Sequence, residues 1–259
     1  MSDQPTSSDQ FTSQSLYDSE PAPSGPTNKP AALWEDFMDI FYAPSDVFAR
    51  RATSGFGWPL LIVTLLIGTV ALVNLGVMQP IMDAEFTRAT AAAIRKNPKI
   101  TAEQMAQFRG MGEKFAAVFA FIGTPIAIVM VGLILWLVGK LVDARESAGT
   151  AIMVATYAYI PKIIAGIAAG VQGLLMDPAS LNGQFRVSLG IGRFLDPDTA
   201  SPILLALVGR LDVFTIWVTV LLAIGLSVTG RIPRSKAAIA GVIVWIVGAL
   251  PALLTALRN

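Results

Sequence analysis

The sequence predicts an all-α, polytopic membrane protein with five transmembrane helices and short interfacial helices before the first and fourth spans. Of its 259 residues, 54% are hydrophobic and 14% are charged, whereas soluble domains carry roughly 25% charged residues. The last quarter of the chain holds two apolar runs, 211–229 and 237–257, joined by a short turn with three cations. Each run is close to the roughly 20 residues that cross a bilayer core as a helix. The pair therefore predicts a transmembrane hairpin, and three upstream apolar runs repeat the pattern.

The absence of two residue types limits the chemistry of this chain, because it contains no Cys and no His. Disulfides, zinc sites of thiolates or imidazoles, and Ser–His or Cys–His catalytic pairs are thereby excluded. HExxH and GxxxxGK[ST] motifs are also missing, and no pair of acids faces into a span. We therefore expect no enzyme, no catalytic residue, no metal and no cofactor. The cations lie mostly in loops beside apolar runs, so nucleic acid is not an expected partner.

The chain divides into a polar tail and an apolar domain. Residues 1–30 are rich in Ser, Pro, Gln and Thr and contain almost no large aliphatic side chain. Such a segment cannot bury enough surface to fold, and it lacks the apolar core of a signal peptide. We predict a disordered tail over 1–30 and a transmembrane domain over 31–259.

The segment 32–52 predicts two short helices. Apolar residues recur there at helical spacing with the acids Glu35, Asp36 and Asp39 on the opposite face. Pro44 and the two polar residues after it end the first helix and cap a second one. Two helices lying at the membrane surface are expected, and docking on the bundle as core packing is the alternative.

The first two spans are connected by a long helical segment. Asn74, near the far end of the first span, needs a polar partner, and an Ala-rich helix (81–96) follows. After a break at Asn97–Pro98, Thr101 and Gln104 form a capping box. The helix that begins there is expected to run straight into the second span as one long rod. The predicted spans are 57–78, 115–138, 149–174, 211–229 and 237–257.

The positive charges predict the orientation of the chain. Five spans place the two termini on opposite faces of the membrane. The short loops on the N-terminal side are dense in cations, including Arg50, Arg51, Lys140 and Arg145. Because such loops stay in the cytoplasm, we predict a cytoplasmic N-terminus and an external C-terminus in a cell membrane.

Three ionisable residues, Lys162, Arg210 and Asp212, lie within or beside the predicted spans, where they are costly and are candidates for function. Asp212 precedes the fourth span, where a carboxylate caps a helix, and Arg210 can reach the headgroups. Lys162 stands about 20 Å into its helix, at 1.5 Å per residue. We hypothesise that Lys162 pairs with Asp212 or with a carbonyl freed by Pro161; a lysine in a wet crevice with no role is the alternative.

Small residues and prolines inside the spans predict close packing and kinks. Two small-xxx-small patches allow helices to approach, mostly within one bundle, with a dimer interface as the alternative. Prolines inside apolar runs kink helices in inert bundles as well as in transporters. The packing positions are Gly166, Gly170, Ala237 and Gly241, and the kink positions are Pro125, Pro161 and Pro251.

A series of short motifs is spread across the five apolar runs. They are Tyr42-Ala-Pro-Ser-Asp-Val-Phe48, Pro98-Lys-Ile-Thr-Ala-Glu-Gln104, Thr156-Tyr-Ala-Tyr-Ile-Pro161, Leu211-Asp-Val-Phe-Thr-Ile-Trp217, Ile224-Gly-Leu226 and Ser235-Lys-Ala237. Their order and spacing resemble the Yip-domain (Ypt-interacting protein) family of five-span membrane proteins, in particular its bacterial branch. The resemblance implies a small helical bundle with a cytoplasmic N-terminus in the bacterial inner membrane. Eukaryotic members bind Rab-type GTPases and each other.

These observations favour a non-enzymatic membrane adaptor or scaffold that uses 32–52 and intramembrane packing to hold partners or shape the bilayer. The expected partners are the lipid bilayer and either other membrane proteins or a second copy of the chain. The alternative is a carrier or permeability pathway for a small solute or lipid, using the kinked third span and Lys162. A membrane enzyme has the least support.

Overall fold

The predicted all-α fold class is confirmed, because the computed structural model contains helices and no strand over the residues that it describes, 32–258. The only β contact in this range is an isolated bridge between Gly190 and Asp212. The predicted disordered tail, 1–30, lies outside the described residues. The helices are α1 Leu33–Tyr42, α2 Pro44–Arg51, α3 Gly57–Lys96, α4 Ala102–Leu141, α5 Ala148–Ala158, α6 Pro161–Leu175, α7 Pro202–Val208, α8 Val213–Thr229, α9 Arg234–Val247 and α10 Leu250–Arg258, with 3-10 turns at Pro178–Ser180 and Ile191–Phe194.

The helices α3 and α4 form a long antiparallel pair. Each has 40 residues, or about 60 Å, roughly twice the thickness of a bilayer core. The predicted span 57–78 and the Ala-rich helix are thus one continuous helix, which contains Pro80. The capping box at Thr101 and the long rod into the second span are confirmed. Arg109 of α4 bonds Asp83 of α3 in the part that extends beyond the first apolar run.

The third span is two helices, α5 and α6, with a break over Tyr159 and Ile160. Pro161 has no N–H, so it cannot donate to the carbonyl of Tyr157. That carbonyl accepts from the Ile160 N–H at 3.2 Å instead. The i→i+3 bond tightens the chain and separates the two helices, and Pro161 becomes the first residue of α6.

The helix α8 is the centre of the bundle. It packs against α2, α5 and α9 and buries Phe214, Leu221 and Leu226 among its apolar residues. With 17 residues it is shorter than the four described helical segments that are long and apolar enough to span a membrane: Gly57–Lys96, Val118–Leu141, Ala148–Leu175 and Arg234–Leu257. The count of five spans therefore depends on whether α8 crosses the bilayer.

The helices α1 and α2 dock on the bundle. Ile40, Val47 and Phe48 are fully buried in the main core, as the alternative interpretation of this segment predicts. Asp36 was expected on the polar face, but it is also fully buried. This expectation was wrong because Arg50, Arg51 and the buried Tyr157 supply hydrogen-bond donors to the carboxylate.

Candidate functional site

Lys162 lies at the edge of an open cavity of about 260 Å³ between α6, the start of α8 and the segment 184–189. Its ammonium group donates to Thr215 Oγ1 at 3.0 Å. In the described part of the chain, no carboxylate lies within 4.0 Å of this ammonium group. Lys162 and Asp212 both line the cavity, and the charge of Asp212 attracts Lys162, but the hydrogen bond of the ammonium group goes to the Thr215 hydroxyl.

Asp212 ties the start of α8 to the segment that precedes it. One carboxylate oxygen accepts from the backbone N–H groups of Phe214 (3.0 Å) and Thr215 (3.2 Å). The other accepts from the N–H of Leu189 at 3.1 Å. Three donors thus satisfy the carboxylate, which acts as the helix cap that the sequence predicts. The same side chain holds the wall of the cavity against α8.

Arg210 does not line this cavity, although it lies close enough for its charge to repel that of Lys162. Its guanidinium donates to the carbonyl of Trp245 at 3.1 Å and lies 5.8 Å from the centre of that indole ring. The Trp245 carbonyl is free because the N–H of Ala249 turns to Ile246 at 2.9 Å. Arg210 therefore supplies the donor that the Trp245 carbonyl lacks at the break between α9 and α10. Its positive charge also complements the C-terminal end of α9.

The small residues of α6 pack against α3 within one chain. A Cβ atom at Gly166 would lie 2.7 Å from Val70, and one at Gly170 would collide with Asn74. Asn74 finds its polar partner here, because its amide donates to the Gly166 carbonyl at 2.8 Å. The glycines therefore allow a polar side chain of α3 to reach the α6 backbone.

The second patch, in α9, also packs within the chain. Ala237 is 1% exposed, and Gly241 faces Ala223 of α8.

Among the prolines, Pro251 follows the α9–α10 break, whereas Pro125 lies inside the uninterrupted helix α4. A proline can be accommodated in a membrane helix where neighbouring groups satisfy the freed backbone.

A charge cluster around the buried Asp36 carboxylate joins α1 and α2 to α5, and the sequence pattern did not predict it. The Asp36 carboxylate accepts from Arg50 Nε at 2.7 Å and Arg51 Nε at 2.6 Å. The Tyr157 hydroxyl donates to it at 3.3 Å, and Arg50 also pairs with Asp39. The spacing of Asp36 and Ile40, one helical turn apart, is the signal that they share a face.

A second buried carboxylate, Glu146, was also missed. It lies in the link between α4 and α5 with 5% of its surface exposed, and within the described chain neither carboxylate oxygen has a hydrogen-bond partner. Burial raises the pKa of Glu146, and the backbone N–H of the same residue and the charge of Lys140 offset only part of this effect. The Lys140 ammonium bonds the carbonyls of Ala144 and Glu146 at 3.3 and 3.2 Å instead.

The architecture and the buried polar groups define a class: a multi-pass α-helical membrane protein. The profile of the Yip1 domain matches residues 38–255, which is most of the chain. The protein therefore belongs to the Yip1 domain family of membrane proteins. Searches of curated proteins and of solved structures found no significant match.

Proposed function

We propose that this protein is a non-enzymatic adaptor of the bacterial inner membrane that holds partner membrane proteins through α1. The proposal includes a polar tail over residues 1–30, a cytoplasmic N-terminus and an external C-terminus. Membership of the Yip1 domain family supports the membrane setting. The adaptor role is supported by the way in which α1 and α2 are fixed to the bundle.

The observation that carries the proposal is an exposed apolar stripe on a firmly held helix. Trp34, Met38 and Tyr42 are 68%, 56% and 82% exposed. Their spacing of four residues places them on one side of α1. The opposite side of α1 is fixed to the bundle by buried Ile40 and by the Asp36 cluster.

An exposed apolar stripe on a fixed helix is well suited to protein recognition. Aromatic residues and Met are enriched at protein interfaces, and Met adapts its shape to a partner. Because the supporting cluster is already formed, binding would not have to order the helix first, which lowers the entropy cost of association. The stripe therefore has the properties of a preorganised contact surface, and it lies on the predicted cytoplasmic side of the membrane.

Photo-crosslinking in living cells tests this role. With p-benzoylphenylalanine at Met38, we expect a discrete protein adduct that is lost when Trp34 and Tyr42 are both changed to Ser. Both side chains are exposed, so the double variant should keep the thermal stability of the parent protein. The matched control carries the crosslinker at Ile239, which is 59% exposed on the predicted fifth span, and should label lipid only. Lipid-only labelling at Met38 as well would contradict the adaptor role.

The second candidate is a carrier or permeability pathway. The break in the third span beside the cavity at Lys162 favours it, since transporters place sites at interrupted helices. Vesicles containing the wild-type protein should then show solute flux or lipid flipping that is lost in Lys162→Gln. No flux across a panel of small solutes and labelled lipids would contradict the carrier role.

A further inference from the structure

We propose that the cavity beside Lys162 binds one phosphate-type anionic group, with the Lys162 ammonium as its cationic partner. The inference is about binding and requires neither the adaptor role nor transport. It depends on three properties of the cavity: a cation that no carboxylate bonds directly, an excess of hydrogen-bond donors, and a wall that is partly apolar.

The first property is the ammonium group of Lys162, which has no carboxylate within 4.0 Å in the described chain. A lysine ammonium has three N–H donors, and the structure assigns one of them, to Thr215 Oγ1. The acid that shares the cavity, Asp212, already accepts from three backbone N–H groups, and the start of α8 further stabilises its charge. The charge of Asp212 attracts the Lys162 cation, but its oxygens are hydrogen-bonded to the backbone, so Asp212 does not bond the ammonium group directly.

The second property is the surplus of donors around that cation. Thr215 Oγ1 accepts from Lys162, so its own hydrogen is free to donate into the cavity. Ser188 Oγ likewise accepts from the Gly190 N–H at 3.3 Å and keeps its hydrogen. Gln184 also lines the cavity. Phosphate oxygens are strong acceptors that match such a set of donors.

The third property is the shape of the site. The apolar part of the wall includes Ala165, Ala169 and Val187. Val187 belongs to a small second core with Ile81 and Leu181, and its carbonyl accepts from Gln172 at 3.0 Å. The wall is therefore packed in place, and the open cavity can accept a charged group with an apolar chain attached. The phosphate could come from a lipid headgroup or from solution.

Thermal unfolding of the full-length protein in a neutral detergent tests the proposal. The probes are dihexanoyl phosphatidic acid, dihexanoyl phosphatidylcholine and inorganic phosphate. We expect phosphatidic acid to raise the Tm in a saturable way and phosphatidylcholine to have a smaller effect. An equal effect of inorganic phosphate would assign the site to free phosphate, and a lipid-only effect would assign it to a headgroup; both outcomes support the anion site.

Variants decide whether the effect arises in this cavity. Lys162→Gln should weaken the apparent Kd about tenfold or more, because it removes a charge-assisted bond. Thr215→Val, which keeps the cation, should weaken binding less and serves if Lys162→Gln does not fold. Lys236→Gln, which removes an exposed cation paired with Asp143, should bind as the wild type does. Unchanged titration in both cavity variants, or no Tm shift with any anion, would overturn the proposal.

Discussion

At the scale of single residues, the two buried carboxylates, Asp36 and Glu146, illustrate opposite solutions to the cost of burial. Asp36 is fully surrounded by donors from Arg50, Arg51 and Tyr157. A buried ion pair of this kind fixes the position of the helices more than it adds to the net stability of the fold. Loss of one partner nevertheless costs about 3–5 kcal/mol. Glu146 has no such donors in the described chain, so its burial favours the neutral carboxyl form.

The raised pKa of Glu146 predicts a decline in stability with pH. The folded protein holds the proton more tightly than the unfolded chain, whose Glu pKa is near 4.5. The free energy of unfolding should therefore fall as the pH rises from 4.5 through the folded pKa, and then stay low. Glu146→Gln should have a flatter profile, with a Tm at pH 8 a few degrees above that of the wild type. Tm measurements between pH 4.5 and 8 in detergent check this.

The matched control for this experiment is Asp143→Asn. Asp143 is an exposed acid in the same link, and its hydrogen bond and attraction to Lys236 lower its pKa. Its contribution to stability is present above its ordinary pKa and lost as the pH falls, which is opposite in sign to the effect of Glu146. The decline between pH 4.5 and 8 should persist in Asp143→Asn. Parallel profiles for the wild type and Glu146→Gln would contradict the assignment.

At the scale of elements, the interruptions in the third and fifth spans are each stabilised by a specific contact. The turn at Tyr159 and Ile160 satisfies the carbonyl that Pro161 leaves free. The turn before Pro251 instead exposes the Trp245 carbonyl, which Arg210 satisfies from another part of the chain. Close contact between α3 and α6 similarly depends on glycines that admit Asn74.

The α3–α6 contact predicts that a single methyl group at Gly170 is destabilising. In Gly170→Ala the new Cβ atom would displace Asn74 from the Gly166 carbonyl, so both overpacking and a lost hydrogen bond contribute. We expect a loss of about 1–3 kcal/mol and a Tm lower by several degrees. The control is Gly123→Ala in α4, where nothing lies within 4 Å of the new atom. Equal Tm values for the two variants would show that α6 does not approach α3 as described.

At the scale of the whole molecule, the short central helix decides the topology. The helix α8 is roughly 25 Å long at 1.5 Å per residue, slightly less than a bilayer core of about 30 Å. Its second half, from Leu221 to Thr229, nevertheless has no exposed residue, and it packs against α9 as an antiparallel neighbour. A short crossing is tolerable where protein rather than lipid surrounds the helix ends.

We therefore predict five crossings, with the termini on opposite sides of the membrane. Fusions of a cytoplasmic fluorescent reporter and a periplasmic phosphatase to each end should give fluorescence at the N-terminus and phosphatase activity at the C-terminus. A fusion of both reporters after Gly230, in the turn between α8 and α9, should behave like the N-terminal fusion. Two termini in the same compartment would instead mean four crossings, with α8 entering and leaving on one side.

The sequence by itself determined the properties that depend on neighbouring residues. Apolar length predicted the helical membrane class, and the caps at Thr101 and Asp212 were predicted because capping bonds join residues two or three positions apart. Only the tertiary structure decided which charges are buried and which meet. Asp36 bonds Tyr157 across 121 positions, and Lys162 bonds Thr215 across 53. Such contacts depend on how the helices pack against each other. A local pattern of residue types carries no information about which residues far apart in the sequence will meet.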